Sequence, residues 1–437
     1  MHKRKTMRSK ALAETKLDRR QLLSGLALTA AGLAGGKSLI KPATAADEKL
    51  SPAKPIDRSF EVLEVGPGKR FETLTLAGAF MNSEGRWNNT YIGPEKIARM
   101  GFHVIISPGP PGYYVNDSGS HSRRWNGKMI GWPPYEWNLF GPVIIEGEPG
   151  KPAPVLETDG YADGVLYYQT GLFATGSCDA TFRRLVFKGF RRQDGNGNYA
   201  AVRLGQESAG IPMNSLVLFE DCEITDCDNG IMGGEVGQSL TIRRCYIHDN
   251  GNGTGRVHNV YFSAGDMLTV EDTLSTRCTI GHLLKSRAAR TTIRNTRLIG
   301  NGGSESACLD VPDAGILDID NLVCEKSPNT DASWLIHYAG ENQDGGNGVP
   351  FHIPSSIKIR DLTMVAPPSI ARHPSWPILG FVNQSGDGEQ ASGKGAFLVK
   401  PDAQNVKVFG LDNSNAGLPF TQLPSKPNLD LASPVHI

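Results

Sequence analysis

Val217-Leu218-Phe219-Glu220-Asp221-Cys222 and Leu240-Thr241-Ile242-Arg243-Arg244-Cys245 superpose residue for residue. The same pattern returns in Leu268-Thr269-Val270-Glu271-Asp272, Thr292-Ile293-Arg294-Asn295 and Asp318-Ile319-Asp320-Asn321. Its central apolar residues are 219, 242, 270, 293 and 319, in steps of 23, 28, 23 and 26. Weaker copies stand at Thr181-Phe182-Arg183-Arg184 and Lys358-Ile359-Arg360-Asp361. Alternation within each copy sends Phe219, Ile242, Val270, Ile293 and Ile319 to one internal stack. Asp221, Asp272, Asn295, Asn321 and Asp361 fall where the chain must turn, a place that suits residues tolerant of left-handed backbone.

A period of this length fits one coil of three short strands joined by turns, each coil about 4.8 Å above the last. The fold class that follows is all-β: a single-stranded, right-handed parallel β-helix. Such a solenoid can fill most of a 437-residue chain as one domain, because each coil buries its apolar side against its neighbours. Cys222 and Cys245 occupy the same place in adjacent coils and are expected in an internal stack of small side chains.

Residues 1–45 read as a leader: Lys3, Arg4, Lys5, Arg8 and Lys10, then Asp18-Arg19-Arg20-Gln21-Leu22-Leu23, an Ala/Gly/Leu segment, and Ala43-Thr44-Ala45 as a cleavage site. The arginine pair resembles a bacterial twin-arginine signal, which implies export by that translocase to the periplasm or beyond. The leader holds 10 of the 45 basic and 2 of the 45 acidic residues, so the remainder has 35 against 43, a net charge of −8. That balance excludes a basic nucleic-acid footprint, and no later apolar run reaches the length of a membrane span. Seven cysteines without a CxxC pair exclude zinc spacing; their disulfide pairing stays open.

Gly66-Pro67-Gly68-Lys69-Arg70-Phe71-Glu72-Thr73-Leu74, followed by Ala77, resembles the opening segment of the pectate-lyase-like β-helix family, and Val104-Ile105-Ile106-Ser107-Pro108-Gly109 resembles its next element. The resemblance covers most of residues 60 to 410 and implies a short N-terminal cap helix. Within 46–437, cap and insertions are expected over 60–140, where Trp87, Trp132 and Trp137 gather, core coils over 142–365, and an irregular segment over 366–437 with one last strand at Val406–Phe409. Gly340 to Pro350 reads as a loop.

A second strand also recurs: His258-Asn259-Val260-Tyr261-Phe262, Gly281-His282-Leu283-Leu284-Lys285-Ser286-Arg287, Ser306-Ala307-Cys308-Leu309-Asp310 and Ser333-Trp334-Leu335-Ile336-His337. Stacked in that order, Phe262, Lys285, Asp310 and His337 are expected as vertical neighbours, with Arg287 pointing the same way as Lys285. Titratable groups converging on one surface mark a site, so Lys285, Arg287, Asp310 and His337 are the candidate catalytic residues. His258, Tyr261, His282 and Glu341 are the candidate substrate contacts. His282-Leu283-Leu284-Lys285-Ser286-Arg287 resembles the Lys-plus-Arg strand of β-helix polysaccharide lyases, which implies Lys285 as base and Arg287 as carboxylate neutraliser or acid in β-elimination of a uronic acid.

Asp310 opposes that assignment, because a carboxylate stabilises a protonated lysine. It favours instead a hydrolase built on Asp310, Asp313 and Glu341, since glycoside hydrolysis uses two carboxyl groups. The third reading is a non-catalytic binder that holds a glycan or a surface partner on its long face. An anionic polysaccharide is the expected ligand, with Arg287, Arg290, Arg294 and Arg297 to offset the negative charge. No cofactor is expected, and calcium, for which no ligand set is evident, is the one metal left open.

Overall fold

The computed structural model describes residues 60–81, 101–109, 124–125, 128–129, 137–139, 141–157, 171–175, 178–191, 199–205, 214–330, 332, 334–340, 352–366, 381–383, 399–410 and 418–435. The expected leader, Trp87, Trp132, Glu341 and the loop from 341 to 350 lie outside them.

The repeat closes into stacked parallel strands. Leu63, Val104, Ile145, Phe182, Phe219, Ile242, Val270, Ile293, Ile319 and Ile359 are register partners from coil to coil. All are buried, and Phe182 stacks on Phe219 at 4.8 Å. The turn that ends each copy is left-handed: φ is 53° at Asp221, 49° at Asp272, 45° at Asn295, 59° at Asn321 and 54° at Asp361. Arginine fills the same place at Arg184 and Arg244, and the unfavourable backbone there is offset by anchored side chains. Arg244 pairs with Asp221 at 2.7 Å and Glu220 at 2.8 Å, and Arg184 with Glu146 at 2.8 Å.

Behind each turn the interior stack runs Leu185, Cys222, Cys245, Thr273, Thr296, Leu322, Leu362, all buried. The four polar members solve one problem in one way. Each of Cys222, Cys245, Thr273 and Thr296 donates to the carbonyl two residues earlier, so the buried thiols and hydroxyls of this stack are satisfied. All seven cysteines are buried thiols outside any disulfide.

Three faces result. The first carries strands such as Ser215–Glu220 and Gln238–Arg243; the second carries Glu223–Thr225, Tyr246–His248 and Leu274–Thr276. From Arg290 onward the two fuse into long bent strands, Arg290–Ile299, Ala314–Glu325 and His352–Val365. The third face is a nine-stranded parallel sheet that includes Val260–Phe262, Leu284–Ser286, Leu309–Val311 and Ile336–Tyr338.

On the first face one outward column alternates in charge: Glu146, Arg183, Glu220, Arg243, Glu271, Arg294, Asp320, Arg360. Opposite charges facing across neighbouring strands are mildly stabilising, whereas like charges there would repel. The helix Leu74–Met81 follows the first strand, Phe60–Val65, and buries Leu74, Ala77 and Met81 in the core. It is not long and apolar enough to cross a membrane.

The last expected strand is present and longer, Asp402–Phe409, in register with Lys358–Val365. Residues 423–435 then return along the second face without regular structure. Lys426 meets Glu325 at 2.5 Å, and Arg297 meets Asp430 at 2.5 Å and donates to the Ala432 carbonyl at 3.1 Å.

Candidate functional site

The third-face strands Val260–Phe262, Leu284–Ser286, Leu309–Val311 and Ile336–Tyr338 are three residues long, and their pairing decides which side chains share a column. Lys285 pairs with Asp310, and Asp310 with His337, as the repeat predicted. The coil below is shifted by one residue from expectation: Tyr261, not Phe262, is the partner of Lys285. Phe262 is fully buried and pairs with Ser286. An aromatic ring without a polar atom belongs on the core side, and that single requirement turns Tyr261 outward.

Asp310 is the hub. Its Oδ2 lies 2.8 Å from Lys285 Nζ and 3.3 Å from His282 Nε2, and its Oδ1 accepts from His337 Nδ1 at 2.8 Å. The residue is 1% exposed, Lys285 7% and His337 5%. Burial alone would raise the Asp310 carboxyl, but Lys285, His282 and His337 together outweigh it and hold it well below the ordinary carboxylate range. Such a carboxylate stays ionised and is a poor proton donor. Lys285, charge-paired to it, is correspondingly held as an ammonium.

His258 and His282 stack with centroids 4.8 Å apart and planes 10° apart. The backbone N–H of His282 donates to His258 Nδ1 at 2.9 Å, so that nitrogen is unprotonated. Burial is the chief cause that pushes His258 well below the usual imidazole range and His282 down to about 3. Both rings are neutral near pH 7. Tyr261 packs edge-on to His258 at 5.2 Å, and Lys285 Nζ sits 5.8 Å from the Tyr261 ring centre.

Arg287 does point to the same side as Lys285. Its Nε donates to Tyr261 Oη at 3.1 Å and its Nη1 pairs with Asp313. His352 Nε2–H donates to the Arg287 carbonyl at 3.0 Å, which ties the next coils to this strand. Asp310 and Asp313 are therefore each engaged by a cation. The other three arginines expected to help are elsewhere. Arg290, Arg294 and Arg297 all lie on the long strand Arg290–Ile299 of the first and second faces. Arg294, in the alternating column, is held by Asp318 at 2.7 Å, and Arg297 holds the C-terminal segment. Acidic partners engage Arg294 and Arg297, and Arg290 lies on another face, so the positive groups at the site are Lys285 and Arg287.

Seven of the eight residues named from sequence thus converge, and Glu341 lies outside the described residues. Two neighbours were not named. Trp334 stacks on the His337 ring at 4.3 Å and 4°, and Gly340 touches its far edge. Their spacing, three residues to either side of His337, was the available signal. Among the described residues no group of three or more His, Cys, Asp or Glu is placed to hold a metal ion.

Asp310 accepting from Nδ1 sets the His337 tautomer and leaves Nε2 as the basic nitrogen. That is the arrangement of a general base.

The profile of the family described as "right handed beta helix region" matches residues 170–321, from the third-face strand Gly171–Thr175 into the strand Ala314–Glu325. Together with the parallel stacks this makes the fold a right-handed β-helix, a framework used by polysaccharide-acting and by structural proteins alike. No curated protein and no solved structure gives a significant match.

Proposed function

We propose that this chain is an exported polysaccharide-acting enzyme that cleaves a uronic-acid polymer by β-elimination at the Lys285–Asp310–His337 column. The observation that carries this reading is the hydrogen bond from His337 Nδ1 to the buried Asp310 carboxylate. Elimination needs a base for the proton on C5, positive charge at the carboxylate, and a donor for the leaving oxygen. In this scheme His337 Nε2 takes the C5 proton, the C4–O bond breaks as C4=C5 forms, and the Tyr261 hydroxyl gives its proton to the leaving oxygen. Lys285 and Arg287 face the substrate carboxylate. The role of base passes from Lys285 to His337 because Lys285 is paired with Asp310. Hydrolysis by Asp310 and Asp313 is disfavoured, since a general acid needs a raised carboxyl pKa and Asp310 is lowered. Residues 1–45 would direct export through the twin-arginine translocase to the periplasm or beyond.

The burial of Lys285, Arg287, Asp310, Asp313 and His337 favours one second reading, a glycan-binding or structural β-helix in which the network is only internal bracing. Protein lacking residues 1–45, incubated with bacterial, algal and plant polysaccharides, decides between them. Elimination gives ultraviolet-absorbing unsaturated ends in step with reducing ends, and His337→Gln lowers that rate by about 10²-fold or more. Reducing ends without new absorbance mean hydrolysis, and binding without product means a binder.

A further inference from the structure

The His337 ring is gripped on three sides. Asp310 takes Nδ1 at 2.8 Å. Trp334 lies flat on the ring face, 4.3 Å between centroids and 4° between planes. Gly340 passes close to the far edge: a Cβ added there would lie 1.5 Å from His337 Nε2, 2.0 Å from Cε1 and 2.5 Å from Cδ2. Gly340 has no positive φ, so the backbone alone would accept any side chain; only the imidazole forbids one. Ala339, at φ 54°, makes the bend that carries Gly340 back over the ring. The intervening Leu335, Ile336 and Tyr338 are buried and pin the segment.

We propose that Trp334 and Gly340 are positioning residues for His337: the indole face fixes the imidazole plane, and the bare glycine lets Nε2 occupy the side-chain space at position 340. Asp310 is itself fixed by Lys285 on its other oxygen, so the Nδ1 anchor does not move with the ring. The catalytic consequence rests on the elimination reading above, but the positioning does not.

The test reads the ring itself, without substrate. The His337 imidazole signals are assigned by difference against His337→Gln in nitrogen–carbon correlated NMR spectra at one pH, then compared in wild type, Trp334→Phe, Trp334→Leu and Gly340→Ala. Trp334→Leu is expected to let the ring leave its plane and mix the two tautomers in the nitrogen shifts, with Trp334→Phe in between. Gly340→Ala, folded by circular dichroism, is expected to displace the ring and lose the Nδ1–H tautomer signature. An unchanged tautomer in Trp334→Leu or in Gly340→Ala overturns the proposal. If these shifts appear while no polysaccharide yields product, the elimination reading fails and the positioning stands. If product forms but the shifts do not appear, the reverse holds.

Discussion

Acidification from pH 7 to pH 5 should destabilise this β-helix through its buried histidine pair. His282 has a side chain 13% exposed, and burial pushes its pKa down to about 3; Asp310 opposes that shift, and Lys285, His337 and Lys326 add to it. In the unfolded chain the same imidazole titrates near 6.5. Between those values the unfolded state binds a proton that the folded state refuses, so stability is full above about pH 6.5 and falls as pH drops toward 3. For His282 alone the loss is about 2 kcal/mol at pH 5 and about 4 to 5 kcal/mol by pH 3. His258, pushed the same way, adds in the same direction. Between pH 7 and pH 5 Asp310 is ionised in both states, because its depressed pKa acts only near and below the unfolded carboxyl value of about 3.9. Urea denaturation at pH 7 and pH 5 reads the difference for wild type and His282→Gln. The other nine histidines are common to both proteins. The variant should lose about 2 kcal/mol less than wild type over this range. Equal losses in the two proteins, or a wild type more stable at pH 5, would refute the argument that these rings are held neutral by burial.

Replacing Asp310 by Asn leaves the Lys285 ammonium buried without its counter-charge and should cost about 3–5 kcal/mol in chemical denaturation; adding Lys285→Met should recover most of it. Phe219→Ala empties a place in the aromatic stack beside Phe182 and should lower stability by about 3–5 kcal/mol, whereas a loss under about 1 kcal/mol would mean the stack is not a packed core. Asn295, at φ 45°, should tolerate Gly and lose about 1–2 kcal/mol as Val, measured by the same melts.

The sequence by itself determined the solenoid. Bulky apolar residues at 219, 242, 270, 293 and 319 leave few alternatives to one internal stack, and Asp221, Asp272, Asn295, Asn321 and Asp361 mark left-handed turns because few residues adopt that backbone cheaply. It also brought Lys285, Asp310 and His337 into one column, since equal places in successive coils must be neighbours. The tertiary structure decided what that column can do. A strand as short as Leu284–Ser286 offers too little pattern to fix its register, so the slip from Phe262 to Tyr261 was settled only by which ring the core would accept. Arg290, Arg294 and Arg297 look like neighbours of Arg287 along the chain, yet the turn after Arg287 carries them to another face, where acidic partners neutralise Arg294 and Arg297. The grip on His337 depends on a bend at Ala339 that folds Gly340 back over the ring and on a Trp334 stack. Local pattern encodes which face a residue takes; only the folded turns decide what stands opposite it.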